Sequence, residues 1–318
     1  MTDLSKKLRV IFMGTPEIAL TSMEALCESG EEVLAVVTQP DRPQGRGQVC
    51  EPCAVKEGAA CRELMVLQPE KARDPAFLEE LRKLAPDLIV VHAFGQILPQ
   101  TLLEMPRLGA INVHASLLPK YRGAAPVQWA ILNGETETGV TIMQMDEKMD
   151  TGAILLQQAV PIEDADTTGT LLEKLSQLGA ELLLRALEGI KAGTLEPVKQ
   201  DDRQAILAPP IRKEQGKIDW NEPAVLIERK ARAFNPWPGA FVGEGNQLIK
   251  IWRAEPANAK GEPGTILEAH KKWIEVACAQ GSLRIFELQP AGKKRMSAEA
   301  FLAGRKLKPG EMFGQFTK

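Results

Sequence analysis

The 318-residue sequence has no apolar run approaching the roughly 18 residues a membrane-spanning helix requires. Its opening, Met1 to Arg9, lacks the basic, apolar, small-residue succession of a secretory signal, so a soluble, cytoplasmic protein is expected. Cysteine is scarce. The five thiols, Cys27, Cys50, Cys53, Cys61 and Cys278, are odd in number and unevenly spread, which argues against a disulfide framework. Cys50-x-x-Cys53 with Cys61 nearby has the beginnings of a zinc site. A tetrahedral site needs a fourth ligand, however, and the three histidines, His92, His114 and His270, are distant in the chain; no metal is expected. Also missing are G-x-G-x-x-G after the first strand-like run, where Gly14-Thr15-Pro16 stands instead, and a Walker lysine motif. Nicotinamide and nucleoside triphosphate sites are therefore not expected.

What is present has an ordinary globular texture, with 44 % hydrophobic and 25 % charged residues, and a length that suits two domains. Apolar runs over 8–13, 33–38, 87–91, 110–114, 139–145 and 154–160 read as strands. Helical patterns over 16–29, 76–84 and 168–192 fall among them. Strands alternating with helices predict parallel β-α-β units and a doubly wound α/β sheet. Residues 193–210 are polar and irregular, in the manner of an interdomain linker. Beyond Pro210 one helical stretch, 224–233, is followed by short strand-like runs over 247–253, 264–269, 273–277 and 282–288, which predict a small β-barrel or sandwich. Charge divides along the chain: residues 209–318 hold 19 Lys and Arg against 12 Asp and Glu, whereas residues 1–208 hold 20 against 30. A basic C-terminal third suits a polyanion-binding appendage, and charge alone equally suits a solvated basic surface.

Chemistry concentrates in Ile111-Asn-Val-His-Ala-Ser-Leu-Leu-Pro-Lys-Tyr-Arg-Gly123. Asn112 and His114 lie two apart, so a strand presents both on one face, at the end where open α/β sheets bind ligands. An amide beside an imidazole can stabilise a developing oxyanion and shuttle a proton. A carboxylate partner is offered by Met145-Asp-Glu-Lys-Met-Asp-Thr-Gly152, which also leaves a strand end. Asp150 suits the role of orienting His114, and Asp146 meets the same description. The loop Thr38–Gln48, with Arg42 and Arg46 among prolines and glycines, is exposed in character with phosphate-seeking tips. After the strand ending at His92, the backbone of Phe94–Pro99 could hydrogen-bond a flat heterocycle, with Ile97 and Leu98 packing on it.

Asn112-x-His114-x-Ser-Leu-Leu-Pro119, Gly123 and Asp150-Thr-Gly152 together resemble the signature of the 10-formyltetrahydrofolate-dependent formyltransferases. Phe12–Pro16, Thr38–Pro43, Arg122–Gln128, Ala233–Pro238 and Gln289–Lys294 extend the resemblance over nearly the whole chain. It implies a Rossmann-like catalytic domain over 1–192, a linker over 193–208 and an OB-like open β-barrel over 209–318. The implied reaction moves the formyl group of 10-formyltetrahydrofolate to the α-amino group of methionyl initiator tRNA, without a metal. Asn112, His114 and Asp150 would be catalytic. Ser116, Leu117, Leu118 and Pro119, with Gln96, Ile97 and Leu98, would line the folate site. Arg42 and Arg46, in the family's basic insertion loop, and Lys293, Lys294 and Arg295 in the basic third would contact tRNA. A monomer is implied as well. Other members of this family formylate glycinamide ribonucleotide or a nucleotide-linked amino sugar, or hydrolyse the donor.

Overall fold

A computed structural model of the chain describes residues 7–44, 49–243 and 248–314. Arg46 lies outside them. The chain divides into two compact units, one of residues 1–126, 137–161 and 172–209, the other of residues 127–136, 162–171 and 210–318.

The first unit contains β1 (Arg9–Gly14), α1 (Glu17–Glu28), β2 (Glu32–Val37), β3 (Pro43–Gln44), β4 (Val49–Cys50), α2 (Ala54–Ala60), β5 (Val66–Leu67), α3 (Pro75–Leu84), β6 (Leu88–His92), α4 (Gln100–Leu103), β7 (Ala110–His114), β8 (Glu137–Gln144), β9 (Ile154–Pro161) and most of α6 (Thr168–Ala192). Seven strands form one sheet in the order β5-β2-β1-β6-β7-β8-β9. The pairings from β5 to β7 are parallel, as the alternation of strands and helices predicts. β6 and β7 are buried at every position, the reason they read as unbroken apolar runs. β8 and β9 depart from the expected parallel arrangement: β7–β8 and β8–β9 are antiparallel. Only residues 145–153 join β8 to β9, too few for the crossover a parallel pair needs. Pro16 precedes α1 in an extended conformation and the helix starts at Glu17. Asp74 caps α3, its carboxylate accepting from Ala76 N at 2.8 Å, with Pro75 at the first helical position.

Residues 193–208, within the stretch 193–210 read from composition as a linker, make backbone hydrogen bonds to this unit. Val198 and Ile154 exchange backbone hydrogen bonds, Arg122 N donates to Ile206 O, and Ala208 N donates to Arg122 O. Gly123 lies so close to this return segment that a Cβ there would meet Ala208 O at 2.5 Å.

The second unit holds most of α5 (Pro126–Asn133), α7 (Ala224–Ala233), β10 (Ala240–Val242), β11 (Ile249–Ala257), β12 (Ile266–His270), β13 (Trp273–Ala277), β14 (Ser282–Pro290), β15 (Met296–Ser297) and α8 (Ala298–Ala303). Its sheet is antiparallel, in the order β10-β11-β14-β13-β12, with β15 added to β14. Ile251, Val276, Leu283, Ile285 and Leu288 form its core with Ile227 of α7 and Phe301 of α8.

Candidate active site

The carboxyl ends of β1, β2 and β6 meet where the strand order reverses, the usual ligand position of an open α/β sheet. Gly14 ends β1 against β6, where a Cβ would meet His92 O at 2.8 Å. Thr15 Oγ1 donates to Phe94 O and accepts from Gln39 N, tying the three strand ends together. A cavity of about 750 Å³ opens here. Arg42, Lys71, Arg73, Gln96 and the exposed Ile97 are among its lining residues. The Gln96 carboxamide is occupied structurally: Oε1 accepts from Ala72 N and Nε2 donates to Pro69 O. Leu98 is buried in the core with Ile11 and Val91, so of the apolar pair only Ile97 is presented. Asp41, also on the cavity, is held below the usual carboxylate range by hydrogen bonds from Lys56 and Gln68.

Asn112, His114 and Asp150 form a separate cluster. His114 Nε2 lies 3.0 Å from Tyr121 O. A carbonyl only accepts, so Nε2 carries a proton and donates. That leaves Nδ1 facing Asp150 Oδ2 at 3.7 Å, with both groups nearly buried. Nδ1 is therefore the ring atom available to handle a proton. Asn112 is 9 % exposed, and its side chain makes no hydrogen bond with another described residue. That carboxamide is left for a ligand or water to satisfy.

Asp150 reaches His114 by a route that strand-end reasoning does not predict. β8 runs antiparallel to β7, so the chain leaves β8 beside the start of β7, where Met145 N donates to Ala110 O. It must double back to bring Asp150 to the other end. Asp150 takes a left-handed conformation, φ +54°, and its Oδ2 accepts from Gly123 N at 2.8 Å. Gly152 packs so tightly that a Cβ would sit 1.8 Å from Gln144 O, the physical reason for glycine in Asp150-Thr-Gly152. Between the two candidate carboxylates the geometry selects Asp150. Asp146 instead accepts from Thr151 Oγ1 and Lys148 N.

Ser116–Pro119 form a tightly bonded turn. Ser116 Oγ donates to Lys120 O, Thr141 Oγ1 donates to Ser116 O, and Leu118 N donates to Thr141 Oγ1. Ser116 and Leu118 are buried, Leu117 and Pro119 half-buried, and none is among the cavity-lining residues. Sequence reasoning assigned no role to Arg122 or Gln200. Arg122 Nε and Nη2 donate to Gln200 Oε1, while Gln200 Nε2 donates to the carbonyls of Asp150 and Gly152. Gln200 sits in a polar stretch with no local sign of this duty. Only a contact across some 50 residues reveals it.

His92 ends β6 fully buried, with Nδ1 3.0 Å from Ser22 Oγ. Burial, aided by the neighbouring His114, pushes its pKa down to about 3, so it is neutral. Lys293 and Lys294 are exposed in the turn between β14 and β15, and Arg295 pairs with Glu287. Among the described residues no group of three or more His, Cys, Asp or Glu could hold a metal, and no helix is long and apolar enough to cross a membrane.

A Rossmann-like sheet with a ligand-sized cavity at the ends of β1, β2 and β6, a separate cluster of amide, imidazole and carboxylate, and an antiparallel sheet unit following in the chain, has the make-up of an enzyme of the α/β class. Comparison with known proteins specifies it further. The formyl transferase family pattern matches residues 6–187, and that of the formyl transferase C-terminal domain matches residues 210–306. The methionyl-tRNA formyltransferase of Citrifermentans bemidjiense is 53 % identical over 308 residues, covering 97 % of both chains. That of Myxococcus xanthus is 51 % identical over 302 residues, covering 95 % of this chain and 96 % of its own. Among solved structures, the Helicobacter canadensis N-formyltransferase, in complex with folinic acid and dTDP-3-aminofucose, superposes with a TM-score of 0.67 at 22 % identity, covering 91 % of this chain and all of its own. HypX from Aquifex aeolicus, in complex with tetrahydrofolic acid, gives 0.64 at 18 % identity over 96 % of this chain and 51 % of its own. The chain belongs to the formyl transferase family and is an enzyme of that family.

Proposed function

We propose that this enzyme transfers the formyl group of 10-formyltetrahydrofolate to the α-amino group of methionyl initiator tRNA, acting in the cytoplasm as a monomer. The relatives that match nearly end to end carry that acceptor in their name. The observation that carries the chemistry is His114 Nδ1 directed at Asp150 beside the unpartnered carboxamide of Asn112. An amine must be neutral to attack. Attack forms the new carbon–nitrogen bond and places negative charge on the formyl oxygen. The Asn112 N–H groups and a proton on His114 Nδ1 are the donors for that charge, and each such donor is worth on the order of 10²–10³ in rate. Asp150 draws off the amine proton, directly or through a water, and the proton passes to the donor nitrogen as its bond to carbon breaks.

In this reading the carbonyl of Tyr121 holds the imidazole, and Gln200 and Gly123 hold Asp150. The folate would lie along Gln96–Leu98 and Ser116–Pro119, with Ile97 the exposed apolar contact. Arg42, Arg46, Lys293, Lys294 and Arg295 would meet tRNA phosphates. Residues 1–192 would supply catalysis, 193–208 the link and 209–318 tRNA binding. The test is an acceptor panel with labelled formyl donor: charged initiator tRNA, charged elongator tRNA, glycinamide ribonucleotide and a nucleotide-linked amino sugar. Label entering charged initiator tRNA well ahead of the others is the expected result. Label entering a small amine instead overturns the acceptor assignment.

A further inference from the structure

The outer face of the C-terminal sheet carries cations laid over aromatic rings. Alternation along β11 sends Ile249 and Ile251 into the core and Lys250 and Trp252 away from it. Register shifts on both sides of Arg253, against β14, then interrupt the alternation. Trp252 and Arg253 both stand between the buried Ile251 and Ala254. Phe286 and Glu287 likewise stand between Ile285 and Leu288. The irregularity places adjacent residues of each strand on the outer face, as a bulge does. Arg253 lies over Phe286, 4.5 Å from the ring centroid, and Arg284 over Trp273 at 5.1 Å. Arg295 lies over Trp252 at 5.6 Å, and Lys250 approaches the same ring at 5.3 Å. The Phe286 and Trp273 centroids are 6.2 Å apart, so two of these seats adjoin.

Each guanidinium also has a carboxylate beside it: Glu255 for Arg253, Glu275 for Arg284 and Glu287 for Arg295. The three arginine side chains nevertheless remain 56, 43 and 48 % exposed. A guanidinium has five N–H donors, so one carboxylate and a ring face orient its plane without exhausting it. A cation already held in this way loses little side-chain freedom when a ligand arrives. The neighbouring turn is tied to the same face: Trp252 Nε1 donates to Gln289 Oε1, and Gln289 Nε2 donates to Lys293 O.

We propose that Arg253, Arg284 and Arg295, each seated on its ring, form one contact track for the phosphates of an RNA backbone, continuous with the Lys293–Lys294 turn. The inference rests on the reading that the acceptor is a tRNA and deepens it by assigning Arg253 and Arg284. The excess of 19 basic over 12 acidic residues in 209–318 complements a polyanion. Planar arginines among rings suit phosphate and sugar faces in particular.

The test is binding of uncharged initiator tRNA to the full chain as salt is raised. The Arg253→Gln, Arg284→Gln double variant should flatten the log affinity against log salt slope by about 2 and weaken binding about tenfold or more. Phe286→Leu and Arg253→Lys keep every charge. Each should keep the slope and weaken binding about three- to fivefold, because the seat is lost. A double variant with unchanged slope and affinity overturns the track. Phe286→Leu binding like the parent overturns the seating. Displacement of tRNA by polyglutamate as readily as by unlabelled RNA also overturns the assignment, in favour of an acidic peptide. The acceptor panel separates the two readings: formyl transfer to charged initiator tRNA with unchanged slopes removes only the track, while transfer to small amines alone removes the tRNA reading.

Discussion

Asn112 and His114 share a side of β7 because an extended chain repeats every two residues, and the carbonyl of Tyr121 then determines which ring nitrogen of His114 is left to work. That assignment makes a sharp claim about two variants. His114→Ala and Asp150→Asn should each lower turnover on the order of 10²–10³-fold while leaving tRNA affinity intact, as separate kinetic and binding measurements would show. Near-parental turnover in either would remove that residue from the mechanism. His92 makes a claim about stability. Its pKa is near 3 when folded against an ordinary 6.5, so below about pH 6.5 the unfolded chain takes up a proton that the folded chain refuses. The stability due to neutral His92 is thus present above pH 6.5 and lost as pH falls toward 3, at up to about 1.4 kcal/mol per pH unit. Urea unfolding from pH 7 to 5 should show that fall, and His92→Gln should remove this contribution from the slope.

At the scale of elements, the strands and long helices were legible because their patterns are local. α6 and α7 occupy the ranges that periodicity predicts, 168–192 and 224–233. Strand direction was not legible, since an apolar run such as 139–145 looks the same in either sense; the short β8–β9 connection carries the hint. Nor did composition reveal that residues 193–208 return toward Asp150, where Gln200 bridges Arg122 to the backbone around it. Gln200→Ala leaves the buried Arg122 short of a partner and two carbonyls short of a donor. It should destabilise the chain by about 1–3 kcal/mol and lower turnover by loosening Asp150, whereas Gln204→Ala, on an exposed side chain, should do neither. Thermal unfolding and turnover of the pair would decide it.

For the whole molecule, the separation of charge between an acidic first part and a basic last third predicts different salt responses for the two proposed substrates, tRNA and the folate donor. If Arg42, Arg46, Arg253, Arg284, Lys293, Lys294 and Arg295 each meet a phosphate, the log–log slope of tRNA affinity should be about −5 to −6. The KM for the folate donor should change far less, and a flat tRNA response would refute the electrostatic account. The sequence by itself determined the class of fold and the division of charge and offered the candidate residue types, because hydrophobic period, net charge and a motif within a dozen residues are all local properties. Tertiary structure alone decided that Asp150 and not Asp146 reaches His114, that Gln200 holds the backbone around Asp150, and that a bulge turns Arg253 onto the same face as Trp252. Each depends on chain segments that meet only after long loops close, and no local pattern encodes where a loop returns.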